Sequence, residues 1–294
     1  MKIACYPGTS AKNDGIPVMA TFINSLRNDG QDVREYANDH FDPDARCAVL
    51  WSVLWQRPER KAIWQYYRSR NIPVIVLEVG CIDRMTFWKV GINGVNRTAQ
   101  WANDSDLDLT RWQHNIVDRD RIKPWRNNTD GYILICTQHE LSEQWKGMPS
   151  MARWVVDTCL AIREHTDRQI VIRHHPRFTA QILSHTLPEN CELYKPKKLE
   201  HTYDDFDFDQ SLGDAWCVVN HSSNPAVEAV MKGVPVFCSN ENLAYDVGSD
   251  DLSLIEKPLK PDRTEWSQKL MHTEWDLDEI RSGIPWLRLK KLIG

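Results

Sequence analysis

The sequence predicts an α/β protein built from two doubly wound, Rossmann-like domains. Three observations predict it: β-branched runs alternate with helix-spaced segments, the alternation restarts after a turn-rich break near residue 130, and the length suits two cores. At 294 residues the chain accommodates two domains of about 130 residues each. Its composition, 41% hydrophobic and 26% charged, is that of a globular protein and sets disorder aside. No apolar run approaches the roughly 18 residues of a membrane span. The opening run breaks at Pro7, too early for a signal peptide, so a cytoplasmic address and no membrane partner are expected; the chain is separately expected to be a monomer.

Residues 2–6 form a first strand, followed by a ligand-facing loop that holds Gly8, Thr9, Ser10, Asn13, Asp14 and Gly15. Residues 17–28 carry Val18, Phe22, Ile23 and Leu26 at helical spacing and stop at Asp29-Gly30. Strands at 32–36, 48–51 and 73–79 flank a helix at 57–70, a tempo that argues for a parallel sheet buried on both faces. Residues 93–126 read as loops and short helices carrying exposed rings. The turn-rich stretch 126–131 then marks a boundary. Beyond it come strands at 132–136, 169–173, 191–194, 215–219 and 234–238, with helices at 150–165, 178–187 and 225–232 and an acidic loop at 204–209 entering another. The tail, 266–293, reads as one or two helices interrupted near 283–285. The expected domains are 1–127, 128–270 and a helical tail, 271–294, packing back on the first.

A net charge of −5 gives no long-range basic field for nucleic acid, although local patches decide contact. Eight cysteines without a C-x-x-C pair or zinc-like spacing read as reduced thiols, several of them in strand runs, and no metal site is indicated. Thirteen tryptophans, most beside charged residues, either seal core edges or stack on sugars and bases.

The stretch 218–237 is the most informative. A buried strand ends in Asn220-His221-Ser222-Ser223-Asn224, and Pro225 suits the first turn of a helix with Ser223 or Asn224 as its cap. Hydroxyls and amides at a helix N-terminus favour anions, so a diphosphate fits there. Glu228, one turn in, can meet ribose hydroxyls, and Gly233 lets the chain turn back into a strand. A well-capped βαβ crossover without a ligand is the alternative. Upstream, Arg173, His174, His175 and Arg177 follow a strand as four potential cations, or else form a solvated basic loop. Glu78, with Asp83 and Arg84 behind it, lies at the end of another strand, where open sheets keep their ligands. Glu78 is a candidate base, with Asp83 and Asp14 competing; a helix-capping role is the bland reading. Gln138, directly after the strand at 132–136, is a further candidate contact for the donor.

These motifs resemble the GT-B glycosyltransferases, in particular the capsule polysaccharide family of Kdo transferases. The match rests on strand, His221-Ser222-Ser223, a helix with Glu228 and Gly233-Val-Pro-Val; on His175-Pro176; and on Glu78-Val-Gly80, similar to that family's E-x-G-x-x-R element. The resemblance implies two Rossmann-like domains facing a central cleft and a nucleotide-sugar donor, expected to be a UDP-sugar. Donor contacts would be Gln138, Arg173, His175, Arg177, His221, Ser222, Ser223, Asn224 and Glu228. No cofactor is obligatory, and a divalent metal is compatible but not indicated.

The Trp-rich N-terminal half departs from the capsule enzymes. Together with Gly91-Ile-Asn-Gly-Val-Asn96, it resembles tailed-phage proteins, whose GT-B enzymes glycosylate hydroxymethylated pyrimidines in DNA. On that reading the acceptor is 5-hydroxymethylcytosine in duplex DNA inside a host cell. Arg57, Arg60, Lys61, Arg84 and Trp88 would then contact it, and the cations at 57–70 and 119–126 would track phosphates. A surface-glycan transferase and a non-catalytic nucleotide-sugar binder or epimerase-like protein are the alternatives.

Overall fold

The structure is a computed structural model, and it describes residues 1–10, 15–101, 107–183, 186–201 and 206–293. The chain divides into two compact units. The first comprises Met1–His114, Leu141–Gln144 and Ser267–Gly294; the second comprises Asn115–Glu140 and Trp145–Trp266.

The first unit opens with β1 (Lys2–Cys5), α1 (Gly15–Asn28), β2 (Asp32–Glu35), β3 (Cys47–Trp51), α2 (Pro58–Arg68) and β4 (Val74–Val79). β1 pairs in parallel with β2 on one side and β3 on the other, and β4 extends the sheet beyond β3. This is the parallel core that the β-branched runs predict. The sheet continues with β5 (Trp88–Ile92), which runs antiparallel to β4 and was not legible as a strand. A short helix, α3 (Leu109–Trp112), follows.

In the second unit, β6 (Tyr132–Cys136), α4 (Met151–Arg163), β7 (Ile170–Arg173), β8 (Cys191–Tyr194), α5 (Phe208–Gly213), β9 (Ala215–Asn220), α6 (Asn224–Met231) and β10 (Val236–Cys238) alternate in chain order. Every strand pair is parallel. Its core joins Ile133, Ile135, Ile170, Ile172, Cys217 and Val219 of the sheet to Val155, Cys159 and Ile162 of α4. The expected helix at 178–187 is not present over 178–183, where Phe178 makes a bridge to His175 and 179–183 are irregular; 184 and 185 lie outside the described residues.

The tail comprises α7 (Thr264–Met271), β11 (Glu274–Trp275), α8 (Leu277–Ser282) and α9 (Ile284–Ile293). β11 joins the first sheet antiparallel to β5. Trp286 and Leu289 of α9 pack into the same core as Phe22 and Leu26 of α1, and the Trp286 indole donates to Asp29 at 2.7 Å. A complete capping box, Asp276 with Glu279, starts α8, and left-handed Gly283 ends it. Among the described residues no helix is long and apolar enough to cross a membrane.

Gly233 is the sharpest backbone constraint. Its φ is +78°, and a Cβ there would collide with the Pro124 carbonyl. That carbonyl belongs to a strap held by Lys123 N to Met231 O (2.8 Å) and Arg126 N to Gly233 O (2.7 Å). Gly233→Ala is expected to lower stability by about 2 kcal/mol or more, from left-handed strain plus the clash. Urea unfolding checks it; an unchanged midpoint would contradict this packing.

Candidate functional site

The order of the second sheet, β10-β9-β6-β7-β8, places the site. The chain winds from β6 outward through β7 to β8, then returns to the other side of β6 for β9 and β10. β6 and β9 are therefore the pair at which the winding reverses, and open α/β sheets keep ligands at the carboxyl ends of such strands. Those ends carry Thr137-Gln138-His139 and Asn220-His221-Ser222-Ser223.

The turn after β9 is held by side-chain amides. Asn220 Nδ2 donates to Cys136 O (3.0 Å) and Ser223 Oγ (2.9 Å), while its Oδ1 accepts from Ser223 N (3.0 Å). Asn242 Nδ2, from the loop after β10, reaches Asn220 Oδ1 (3.1 Å), Ser223 O (3.2 Å) and His221 O (3.3 Å). Gln138 Oε1 accepts from Ser222 N (3.1 Å), and its Nε2 lies 3.3 Å from Ser222 Oγ. Asn220, Gln138, Ser222 and Asn242 are all at most 5% exposed. Gln138 and Ser222, expected as donor contacts, thus bond each other and fix the turn.

What they present is the start of α6. Ser223 is its N-cap residue, yet its hydroxyl faces Asn220 and makes no cap bond to the helix. The first turn holds no acidic residue, and Pro225 brings no N–H. The positive end of the helix dipole is therefore uncompensated by its own first turn. Ser223, Asn224 and Glu228 are half-buried around it. The edge of the His221 ring meets Trp145 at 5.0 Å, and Nδ1 lies 2.9 Å from Ser222 Oγ.

At the neighbouring end of β7, His175 N donates to Thr137 Oγ1 (2.8 Å), and Arg177 N donates to His175 Nδ1 (3.1 Å). In the neutral ring that bond puts the proton on Nε2. His139 lies against both the His175 and Phe178 rings, at 5.6 and 4.9 Å. Burial lowers the pKa of His139, His174 and His221, with Glu140 opposing it weakly at His139.

Arg173 corrects an expectation. Its guanidinium, placed by the sequence against a diphosphate, is 4% exposed and donates to Asp207 (2.8 Å) and Ser211 (2.9 Å). Asp207 also accepts from Tyr194 OH and Lys197 N, and its carboxyl is held below the usual range by those bonds and Arg173, against an opposing burial cost. A buried pair of this kind depends on its fixed partners. With His174 buried as well, Arg177 is the exposed cation of the stretch.

In the first unit, Glu78 is half-buried near the end of β4, and its Oε1 accepts from Val79 N (2.9 Å). Asp83 is half-buried and Arg84 exposed in the turn beyond. Asp14 lies outside the described residues. Three expected acceptor contacts are engaged within the unit. Arg60 is 6% exposed, with Nε and Nη2 donating to Thr9 O (2.9 and 2.5 Å); Arg57 donates to Gly8 O (3.2 Å) and Ser10 O (3.4 Å). Both arginines tie down the loop after β1. Trp88 is 8% exposed in the core of the sheet. Lys61 is exposed on α2.

Sequence reasoning missed Glu274. It is fully buried, accepting from Cys81 N (2.8 Å) and Ile82 N (3.0 Å), and its carboxylate fills the space a Cβ at Gly80 would need. The E-x-G element is thus shaped by a carboxylate nearly two hundred positions away, for which local pattern offers no signal. Asn242 was missed for the same reason.

No protein-family model matches the sequence, and no curated protein matches it. Among solved structures, the chain is similar to the beta Kdo 2,4 transferase of KpsC from Thermosulfurimonas dismutans: TM-score 0.54, 13% identity, 93% of this chain and 90% of that one. It is also aligned with the beta Kdo 2,7 transferase of the same protein (TM-score 0.49, 12% identity, 98% and 100%). A third is UDP-GlcNAc 2-epimerase of Methanocaldococcus jannaschii, in complex with UDP-GlcNAc and UDP (TM-score 0.35, 12% identity, 92% and 98%). The last two scores carry no argument. The first likeness and the two parallel-rich sheets establish the fold: α/β, with the two Rossmann-like domains of the GT-B class.

The buried histidines set a pH dependence. Their folded values lie below the ordinary 6.5, so the unfolded chain takes up protons first as pH falls. Stability is expected to be complete above about pH 6.5 and to decline from there toward about pH 5, above the range where carboxylates protonate. Denaturation midpoints across that window check it. His174→Leu should flatten the decline; a slope unchanged by it would contradict the assignment.

Proposed function

We propose that the chain is a glycosyltransferase that takes a sugar from a nucleotide-sugar donor, with a UDP-sugar as the first choice and no resident cofactor. The observation that carries this reading is the reversal-point turn of the second unit, where amide-locked residues 220–223 lead into a helix with no acidic first turn. The likeness of fold to a Kdo transferase supports it. In the proposed reaction an acceptor hydroxyl oxygen attacks the anomeric carbon, and the bond from that carbon to the diphosphate breaks. Negative charge growing on the leaving diphosphate is met by the start of α6 and by Arg177. The hydroxyl proton passes to a carboxylate, for which Glu78 is the proposed base, with Asp83 and Asp14 as competitors.

For the acceptor we favour a glycan hydroxyl over 5-hydroxymethylcytosine in DNA. Four of the nine cations expected to track phosphates bond backbone carbonyls instead: Arg57 and Arg60 on the loop after β1, Arg121 Nε on Asn115 O (2.9 Å) and Arg126 Nη1 on Leu212 O (2.9 Å). The rings are sealed too. Trp55, Trp112, Trp125 and Trp154 are half-buried, and the remaining nine of the thirteen tryptophans are buried, which leaves no exposed indole for a base to stack on. The DNA reading retains the outer face of α2, where Lys61 is exposed and Arg70 lies 3.8 Å over the Tyr66 ring.

The test is mass spectrometry after incubation with a panel of nucleotide sugars and two acceptor sets, Kdo-containing oligosaccharides and hydroxymethylated duplex DNA. Sugar transfer to the oligosaccharides, reduced by about 100-fold or more in Glu78→Ala with UDP binding unchanged, is the expected result. Sugar on the DNA would reverse the acceptor assignment. No donor consumed in any arm would leave a nucleotide-sugar binder and overturn the enzyme reading.

A further inference from the structure

Seven of the eight cysteines are buried, and Cys191, the first residue of edge strand β8, is the half-buried one. It also lies beside a cation. Arg163, the last residue of α4, donates through Nε and Nη2 to Glu189 O (3.3 and 3.1 Å) and through Nη2 to Asn190 O (3.3 Å), and Nη2 lies 3.9 Å from Cys191 Sγ. Cys159 sits one helical turn before Arg163, and residues four apart share a helix face. The guanidinium and the Cys159 thiol are therefore presented together to the start of β8. Cys159 belongs to the core cluster against which the half-buried Cys191 packs.

We infer that Cys191 and Cys159 form a thiol–disulfide exchange site, with Cys191 as the attacking thiolate, Cys159 as the resolving thiol and a small-molecule disulfide such as oxidised glutathione as the co-reactant. The site lies at the amino end of β8, away from the carboxyl ends that carry the donor turn, and so does not depend on the glycosyltransferase reading.

The electrostatics suit the two roles. The neighbouring Cys159 thiol and the charge of Arg163 lower the pKa of Cys191, and the Cys191 thiol together with burial raises that of Cys159. Exposure follows the same division: the outer thiol meets a dissolved reagent, and the inner one is sheltered until the outer is capped. In the first step the Cys191 thiolate attacks one glutathione sulfur, the glutathione S–S bond breaks, and glutathione thiolate leaves. In the second, the Cys159 sulfur attacks Cys191 Sγ, the mixed disulfide breaks, and a second glutathione leaves. The thiol proton of Cys159 passes to a departing thiolate. Two electrons move from the protein thiols to the glutathione disulfide, whose reduction balances the new bond. That bond ties the edge strand to α4.

The experiment uses the intact native chain, exposed to oxidised glutathione near pH 7, quenched with acid, digested without reductant and mapped by mass spectrometry. The expected product is one intramolecular Cys159–Cys191 disulfide, reversed by dithiothreitol. In Cys159→Ser the expected product is a stable glutathione adduct on Cys191. Brief iodoacetamide labelling of the native protein should mark Cys191 at least tenfold faster than any other cysteine, and Arg163→Gln should slow it severalfold. Labelling of Cys191 no faster than of the rest, or a native chain that forms no disulfide or joins other cysteines, would overturn the proposal without touching the donor site.

Discussion

The second unit depends on one constraint: the backbone after β9 must leave the sheet and enter α6 within three residues without burying unpaired amide groups. Two asparagines and a glutamine meet it. Asn220 folds its amide back onto Ser223, Asn242 clips the same turn from the next loop, and Gln138 bonds Ser222 from the neighbouring strand. Each partner comes from a different segment, so the turn exists only when β6, β9 and the loop after β10 are all in place. Buried polar networks of this kind are costly when incomplete and specify a single geometry when complete. Here the geometry is a helix start aimed past the reversal point of the sheet.

Charge placement follows from the same economy of buried groups. A cation near a sheet end can be a ligand contact or a brace, and exposure decides which. Arg173 ends β7 and Arg60 lies in the first turn of α2, yet each is over 90% buried, with its guanidinium bonded to Asp207 or to loop carbonyls. Removing these charges from water is tolerable only because the partners are fixed. Near the end of β9 the start of α6 carries no acidic first turn, and Arg177 beyond β7 is exposed.

Much of the fold was legible because its signals are local. The β-branched strands and α1 with Val18, Phe22 and Leu26 inward appear where period and turn residues put them, whereas the units divide at His114 rather than before Tyr132. Ser223 as the α6 cap and Gly233 as the reversal were readable for the same reason. The failures share a cause. β5 carries Trp88 and Lys89 in a run that becomes a strand only through pairing with β4 and β11. Arg57, Arg60 and Arg173 read as free charges because the carbonyls and carboxylate that bind them lie tens of residues away. Glu274 and Asn242 gave no signal, since their partners are backbone amides and carbonyls that become neighbours only on folding.

The whole account turns on whether nucleotide phosphates settle where the chain leaves β9 for α6. Titrating UDP into isotopically labelled protein, with uridine as the phosphate-free control, asks this directly through the amide resonances of Ser222, Ser223, Asn224 and Ala226. The account predicts saturable movement of these four signals with UDP and little with uridine. Saturation by UDP with these signals still, and the shifts lying elsewhere in the chain, would contradict it.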